Sequence, residues 1–297
     1  MKHRLILSII GILLTLNIAA CQNTTTPQAK ETTAPTQTPV TSAKRVVALT
    51  SLSADIIYQL DKSKLVGITG SSLLNKNPNF KDITRVSEGQ TPPNLEKIVA
   101  LKPDLVIGAE GFSNQTIEKV KQLGIPTLLT RVNDFEALEA LTKNLAQTIN
   151  ADPQPLLKRY QTFIDTNIKP NASALVLVSR QPILSPNKSS WAGNLLEKFN
   201  VKNVTADLQG KSPIRGYITL SPEKILETNP NTIILVTPPQ GGSQQSILES
   251  FKQESFWGKL EATKNNRVYV FDYYGFVNAG TIDAIEKACK QLKDVLS

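Results

Sequence analysis

The side chains that most often carry out catalysis or bind metals are scarce in this sequence of 297 residues. There is one histidine, His3, and there are two cysteines, Cys21 and Cys289. His3 and Cys21 lie in the N-terminal segment, so the rest of the chain has no histidine for a catalytic triad and no Cys–His zinc site. Cys289 falls on the apolar face of the last predicted helix, where we expect a small core residue and no intrachain disulfide.

Carboxylates are the other groups that could carry out chemistry, as a general acid or base. The candidates are Glu110, Asp272 and Asp283. None of them belongs to a paired-carboxylate motif, a metal-binding cluster or an activated nucleophile. An enzyme that uses these carboxylates is therefore the weaker alternative, and we predict a protein without enzymatic activity, bound metal or cofactor.

A duplicated glutamate is the clearest pattern in the chain. The triplet Glu-Lys-Ile occurs at Glu96 and again 127 positions later at Glu223, and in both copies a proline seven residues after the glutamate precedes an apolar run. Asn94 and Ser221 are suitable N-caps, and the helix dipole favours a carboxylate in the first turn. Each copy therefore predicts a short helix that leads into a buried strand, which implies two similar lobes.

The order of the predicted elements indicates an α/β fold of two similar, Rossmann-like lobes, each with a parallel sheet, joined by one long α-helix. The predicted domains are an N-terminal lobe of residues 44–150, an interlobe helix of residues 151–170 and a C-terminal lobe of residues 171–297. The interlobe helix begins at Asp152 and Pro153 and carries apolar residues as far as Ile168. Such a helix of about 16 residues, near 24 Å long, resists bending and limits closure of the lobes.

A group of hydroxyls follows the first predicted strand. Thr50, Ser51 and Ser53 lie where this strand ends and a helix begins. Ligands of open α/β sheets bind at the carboxyl edge of the strands, so Ser51 is a candidate ligand-binding residue. Helix capping is the alternative role for each of the three.

The N-terminal segment has the pattern of a secretory signal. Lys2 and Arg4 precede an apolar run that ends in Ile-Ala-Ala before Cys21, which resembles the lipobox of bacterial lipoproteins. We predict a signal peptide of residues 1–20 and a lipid on Cys21 that anchors the protein on the periplasmic or cell-surface side of a bacterial membrane. A signal anchor is the alternative, although about 16 apolar or small residues are few for crossing a bilayer. Residues 21–43, rich in Thr, Pro and Gln, predict a disordered tether.

The net charge gives a modest indication of the partners. Removing residues 1–20 takes away Lys2 and Arg4 and no acidic residue, so the formal charge falls from +8 to +6. The basic residues are scattered among acids and are not interleaved with aromatics, so we expect no nucleic-acid partner. The remaining positive charge favours an anionic ligand.

Six segments, taken in order, resemble a known family. They are RVVALTSLSADIIYQL, LVGITG, NLEKIVALKPDLVIG, LGIPTLL, LSPEKILETNPNTIILV and NNRVYVFD. With the lipoprotein-like start, they make residues 44–297 resemble the periplasmic substrate-binding proteins of ABC importers for iron-siderophore complexes, haem and cobalamin, the single-helix-linked class III type. The resemblance implies a ligand held between the lobes with little hinge closure, and we expect a monomer. It also implies that Glu96 and Glu223 dock onto arginines of a permease dimer that works with an ATPase; helix capping is the alternative.

Within this resemblance, most of the ligand-binding candidates lie in the second lobe. Tyr217 matches an aromatic residue that a cobalamin-binding member has six positions before the second-lobe glutamate, and Arg215 beside it would pair with an anionic chelate. The other candidates are expected at the same edge of the lobe: Arg180, Trp191, Tyr273 and Tyr274. Packing inside the protein is the alternative for each aromatic residue.

The expected ligand is a ferric siderophore. The segment from Gly108 to Ser113 lacks the Gly-Pro-Pro of the haem-binding members, and residues 70–80 lack the aromatic-and-proline pattern of the cobalamin binders. Cobalamin is therefore the second choice and haem the third. A ligand-sensing envelope lipoprotein that takes no part in transport is an alternative of a different class.

Overall fold

The computed structural model describes residues 42–89, 91–164, 171–208, 210, 212 and 214–296. The predicted signal peptide and the lipid attachment at Cys21 lie outside the described residues, as does the predicted tether apart from its last two positions. One of these two, Ala43, is buried, and its amide donates to the carbonyl oxygen of Thr148 (2.8 Å). Ala43 is therefore part of the folded body and not of the tether.

The first lobe is built on a parallel sheet of five strands in the order β3-β2-β1-β4-β5. The strands are β1 (Val46–Ala48), β2 (Leu65–Ile68), β3 (Thr84–Arg85), β4 (Leu105–Ala109) and β5 (Thr127–Thr130). The helices between them are α1 (Ser51–Asp61), α2 (Ser72–Lys76), α3 (Leu95–Ala100) and α4 (Asn114–Gln122). The alternation of strand and helix that the sequence predicted is confirmed for this lobe.

Two helices connect the lobes, α5 (Phe135–Ile149) and α6 (Gln154–Gln161). The longer of the two is α5, with 15 residues, whereas the helix predicted to run from Asp152 to Ile168 has only eight. It ends at Gln161, where the amides of Thr162 and Phe163 bond three residues back, to the carbonyl oxygens of Arg159 and Tyr160 (both 3.0 Å), and the Thr162 hydroxyl also bonds to Arg159 (2.7 Å). Residues 165–170 lie outside the described part.

The second lobe has a parallel sheet and a small antiparallel sheet. The parallel sheet, in the order β12-β11-β6-β9, contains β6 (Ser173–Leu177), β9 (Lys202–Asn203), β11 (Thr232–Val236) and β12 (Val268–Phe271). The antiparallel sheet contains β7 (Ser179–Arg180), β8 (Ile183–Pro186) and β10 (Tyr217–Thr219). It was not predicted, because strands of two to four residues are too short to show alternation of apolar and polar residues.

Six helices belong to the second lobe. They are α7 (Trp191–Lys198), α8 (Pro222–Thr228), α9 (Gln244–Lys252), α10 (Glu261–Lys264), the short and irregular α11 (Tyr273–Phe276) and α12 (Ile282–Leu296). Cys289 is buried on α12, as predicted. None of the helices in the described part of the chain is both long and apolar enough to cross a membrane.

The duplicated motif forms the predicted helix and strand in both lobes. α3 leads into β4, and α8 leads into β11. The side chain of Asn94 accepts the amide of Lys97 (2.9 Å), and that of Ser221 accepts the amide of Lys224 (3.2 Å). Both predicted N-caps are therefore confirmed.

One apolar core runs through both lobes. It includes Val46 of the first sheet and Ile234 of the second, and between them Ile56 on α1, Leu138 on α5 and Ile285 on α12. Two separate clusters cover the outer faces of the sheets, under α3 and α4 in the first lobe and under α8 and α9 in the second. Because close-packed interiors deform little, this continuous core couples the two sheets.

A buried carboxylate joins the lobes. Asp55 on α1 is only 4% exposed, and its Oδ2 accepts the amide of Ile282, the first residue of α12 (2.7 Å). A side chain of the first lobe thus caps a helix of the second. The other oxygen of Asp55 accepts a hydrogen bond from Gln59 (3.0 Å).

Arg159 on α6 extends this connection. Its guanidinium donates to Gln59 on α1 (3.0 Å) and to Asp283 on α12 (2.6 Å), and it also pairs with Glu286 on α12. We call Asp55, Gln59, Arg159, Asp283 and Glu286 the interlobe network. This network connects both lobes to α6, and it gives the buried carboxylate of Asp55 hydrogen-bond partners.

Replacing Asp55 should separate its capping role from its charge. Asp55→Ala removes the acceptor of the Ile282 amide and leaves this buried amide unsatisfied, so we expect the free energy of unfolding to fall by about 1–3 kcal/mol. Asp55→Asn retains an oxygen that can accept the Ile282 amide, so we expect a smaller loss. Urea unfolding of the two variants and of Asp82→Ala, a control at an exposed aspartate, measures these differences.

The same variants predict a pH dependence. Burial raises the pKa of Asp55 above its ordinary value of 3.8, so the folded chain binds this proton more tightly than the unfolded chain. The stabilising contribution of proton binding at Asp55 is therefore complete below the unfolded pKa and is lost as the pH rises through the native pKa. Asp55→Asn should abolish this fall in the free energy of unfolding with rising pH. An unchanged pH dependence in this variant would show that Asp55 is not the group responsible.

Candidate functional site

The carboxyl edges of the two parallel sheets carry the polar residues from which a site can be built. In the first lobe Ser51 follows β1, and in the second Tyr273 follows β12. The lobes approach each other beside these edges: Leu73 Cδ1 on α2 lies 3.0 Å from the position that a Cβ on Gly280 would occupy. Ligands of α/β sheets bind at the carboxyl edge, so a ligand site is expected in the space between the lobes.

A polar cavity of about 400 Å³ lies between residues of the two lobes. Its lining consists of Asn133, Asp134 and Glu136, at the end of the first lobe and the start of α5, and of Lys188, Ser189, Asn194 and Arg215 from the second lobe. Asn194 also joins the two sides, because its side-chain oxygen accepts the amide of Phe135 (2.9 Å). Of the residues predicted to bind a ligand, Arg215 is the one that lines this cavity.

The charges in the cavity favour an anion. Arg215 is exposed and has no ion pair or hydrogen bond with any described residue, so its guanidinium is available. Lys188 is engaged with Asp207 (2.7 Å). The two acids of the lining are also occupied, because Asp134 caps α5 and Glu136 forms an ion pair with Lys198.

A glycine positions Arg215 and its neighbour. Gly216 has a φ of +83°, and a Cβ there would lie 3.1 Å from the carbonyl oxygen of Ser189. The carbonyl oxygen of Gly216 also accepts the amide of Asn187 (2.9 Å). The chain therefore turns tightly against the loop of residues 187–190, with Arg215 in the cavity lining and Tyr217 beginning β10.

Three predicted tyrosines gather next to this turn. The rings of Tyr273 and Tyr274 meet edge to face, with centroids 5.2 Å apart, and the amide of Tyr273 donates to the Thr237 hydroxyl (3.2 Å). Burial raises the pKa of the Tyr217 phenol, and the nearby Tyr273 raises it further. Tyr217, Tyr273 and Tyr274, which we call the tyrosine cluster, form an aromatic group at the edge of the second lobe.

The first lobe offers hydroxyls at its edge. Ser51 Oγ donates to Ser71 Oγ (2.7 Å), whereas Thr50 caps α1 and accepts the amide of Ser53 (3.1 Å). Ser51 was predicted at this edge, but Ser71 was missed. Its position shortly after β2 was the available signal, since consecutive parallel strands end at the same edge.

Trp191, predicted to bind ligand, lies in the core instead. It is 3% exposed, its indole N–H donates to the carbonyl oxygen of Gly275 (2.9 Å), and its ring stacks on Phe135 at 6.3 Å and 18°. The reason is its place at the start of α7, which faces α5 across the contact between the lobes. This position agrees with the alternative role given for the aromatic residues, which is packing inside the protein.

Arg180 is also placed away from the cavity. It pairs with Glu254 (3.2 Å), which follows α9, and donates to the carbonyl oxygen of Ser250 (3.2 Å) in the C-terminal part of α9. The hairpin of β7 and β8 turns back over the apolar cluster that lies under α9, so Arg180 follows the outer layer of the lobe. Its position after the first strand of the second lobe suggested the carboxyl edge of the parallel sheet. The chain instead turns back through β8, which is antiparallel to β7.

Glu96 and Glu223 are both exposed in the first turns of their helices. Glu96 borders a surface depression of about 380 Å³, which Pro92, Pro93 and Lys119 also line. The carboxylate of Glu223 accepts hydrogen bonds from its own amide and from the Ser221 hydroxyl, and these bonds lower its pKa. Both groups are accessible anions on the outer helices of the lobes.

The three carboxylates considered for acid or base chemistry are dispersed in separate ion pairs. Glu110 pairs with Arg131, Asp272 with Lys287 (2.7 Å), and Asp283 belongs to the interlobe network. In the described part of the chain no group of three or more His, Cys, Asp or Glu side chains could hold a metal ion.

Known proteins share this architecture. The chain is 24% identical to the iron-uptake system-binding protein of Bacillus subtilis over 304 aligned positions that cover 93% of each protein. It is 26% identical to the vitamin B12-binding protein of Vibrio cholerae, covering 84% of this chain and 90% of that protein. A crystal structure of an ABC transporter substrate-binding protein from Listeria monocytogenes matches with a TM-score of 0.70 and 24% identity, over 85% of this chain and 98% of that one.

These matches confirm the predicted fold class of two α/β lobes, and the relatives named here are binding proteins, as predicted, and not enzymes. The family model described as periplasmic binding protein matches residues 46–274. That range is well over half of the chain, and it includes both parallel sheets and the cavity between the lobes. The chain therefore belongs to the periplasmic binding protein family, whose members among the matches include substrate-binding proteins of ABC transporters.

Proposed function

We propose that this protein captures an anionic metal chelate, a ferric siderophore, between its lobes and delivers it to the permease of an ABC importer. The observation that carries the proposal is the unpaired Arg215 in an interlobe cavity beside the tyrosine cluster. The iron-uptake relative from Bacillus subtilis supports the choice of ligand.

The side chains that the two lobes offer at their carboxyl edges support an anionic metal chelate as the ligand. A guanidinium presents a planar fork of donors to carboxylate or catecholate oxygens, and no acid among the described residues is bound to Arg215. The tyrosine cluster adds aromatic surface and phenol hydroxyls, and Ser51 and Ser71 offer hydroxyls from the opposite lobe. A cavity of about 400 Å³ is within the usual range for small-molecule sites.

Cobalamin is the second candidate. The vitamin B12-binding relative from Vibrio cholerae favours it, as does Tyr217, whose ring could stack on a flat macrocycle. Cobalamin makes less use of an unpaired guanidinium than a ferric chelate does, so we place it second. Haem follows as the third candidate.

The proposal includes the route to the membrane. A signal peptide of residues 1–20 would direct export, a lipid on Cys21 would anchor the chain, and residues 21–43 would hold the lobes of residues 44–150 and 171–297 off the membrane. Glu96 and Glu223 would then dock onto cationic side chains of the permease, one from each lobe. Their exposure on the outer helices supports this role.

Calorimetric titration tests the ligand. The full-length protein, purified in detergent, would be titrated with a ferric catecholate, a ferric hydroxamate, haem and cyanocobalamin. We expect submicromolar, one-site binding of a ferric siderophore. Binding of cyanocobalamin alone would favour the second candidate, and binding of none of the four would reject metal chelates as the ligand class.

Arg215 should contribute strongly to that affinity. Removing a charged donor from an anion in a partly enclosed site loses about 1.5–3 kcal/mol, so Arg215→Ala should raise Kd by about 10- to 100-fold. Lys290→Ala, which removes an exposed cation on α12, is the matched control and should leave Kd unchanged. Equal affinities of the two variants would place the anion elsewhere.

The docking role predicts a separation of transport from binding. In the variant with Glu96→Arg and Glu223→Arg, like charges would meet at the permease, so uptake of radiolabelled ferric chelate by whole cells should be lost. The calorimetric Kd should stay unchanged, because both side chains lie on the outer helices. The double variant with Glu249→Arg and Glu261→Arg, which makes the same change of charge at two other exposed glutamates, serves as the control. A loss of affinity in the variant at Glu96 and Glu223 would contradict docking.

A further inference from the structure

One aromatic side chain is almost completely exposed. Phe112, in the loop between β4 and α4, is 92% exposed, well above the other large apolar side chains that are exposed in the described part of the chain: Val99, Leu123 and Ile214. Burial of a phenylalanine side chain stabilises a folded protein, and Phe112 makes no such contribution here. Single exposed apolar residues are common, so the surroundings of Phe112 decide what it means.

The loop that carries Phe112 is well ordered by hydrogen bonds. The amides of Phe112 and Ser113 both donate to the carbonyl oxygen of Ala109 (3.2 and 2.8 Å), and the amide of Gly111 donates to the Asn114 side chain (2.9 Å). The Ser113 hydroxyl accepts the amide of Ala109 (3.1 Å) and makes no capping bond to α4. The side chain at the N-cap position thus fixes the loop instead of the helix end.

The loop of Phe112 lies in the middle of the face of the first lobe that is directed toward the second lobe. β4 lies between β1, which ends beside Ser51, and β5, which leads to Asn133 in the lining of the cavity. On the far side of β1, Leu73 approaches Gly280 of the second lobe. Both flanks of the loop therefore face the second lobe, and the loop lies on the cleft side.

The second lobe has an apolar side chain in a comparable position. Ile214 is 50% exposed and directly precedes Arg215 of the cavity lining. Ile214 thus adjoins the cavity lining of the second lobe in sequence, and Phe112 lies on the loop after β4, the neighbour of the strand β5 that leads to the lining of the first lobe. Two such exposed apolar groups match a ligand that carries apolar surface next to its anionic atoms.

We infer that Phe112 is a ligand-contacting, specificity-determining residue, and that the chelate bound here carries aryl groups. This inference rests on the proposed function and narrows it, since it selects aryl-bearing chelates such as catecholates over hydrophilic hydroxycarboxylate chelates. Arg215 pairs with the anionic oxygens, and Phe112 packs on an aryl ring. Ile214 adds apolar contact from the other lobe.

Calorimetry with two iron chelates tests this assignment. The full-length protein and Phe112→Ala, both in detergent, would be titrated with the ferric complex of dihydroxybenzoyl-serine and with ferric citrate. Loss of an aromatic contact should raise Kd for the aryl chelate by about tenfold or more in Phe112→Ala, with little change for ferric citrate. Phe112→Tyr should retain the affinity for the aryl chelate, because its ring is unchanged.

Leu123→Ala is the matched control, since Leu123 is also an exposed apolar residue of the first lobe but follows α4 at its far end. It should bind both chelates like the wild type. Equal Kd values for the wild type and Phe112→Ala would overturn the role of Phe112 while leaving the proposed function in place. A wild type that binds ferric citrate as tightly as the aryl chelate, or that binds neither, would overturn the assignment of an aryl-bearing chelate. The proposed function would fall with it only where ferric hydroxamate is not bound either.

Discussion

The buried contact of Asp55 with the first amide of α12 is the constraint on which the arrangement of the two lobes depends. An ionised carboxylate is costly to bury without partners, so this position requires α12 of one lobe to meet α1 of the other in one register. Arg159 adds a second link to both helices, and the continuous apolar core fills the space between them. The relative placement of the two sheets is therefore fixed by burial and by directional hydrogen bonds together.

A fixed placement of the lobes explains how the site can be assembled from distant parts of the chain. The proposed site takes Ser51 and Phe112 from one lobe, and Arg215 and the tyrosine cluster from the other. Because the shared core and the interlobe network hold the lobes together, we expect these groups to be preorganised for the ligand. A ligand of matching shape then loses less free energy to conformational ordering on binding.

The fold could be predicted largely from local signals, but the site could not. Asn94 and Ser221 cap helices because short-range rules decide such contacts, and the buried strands follow from long apolar runs. The burial of Trp191 could not be predicted because its neighbour Phe135 is remote in sequence, and the position of Arg180 could not be predicted because a two-residue strand turns the chain back. Phe112 went unnoticed, since nothing in the sequence distinguishes an exposed aromatic residue from a buried one.

The stacking of Trp191 on Phe135 has a consequence for spectroscopy. An indole that is shielded from water and hydrogen-bonded to a carbonyl oxygen emits at short wavelength, and this one is located where α7 of the second lobe meets α5. Its emission therefore reports whether water enters the seam between the lobes. Trp257, the other tryptophan, packs against the outer cluster of the second lobe, so it supplies an internal reference for that signal.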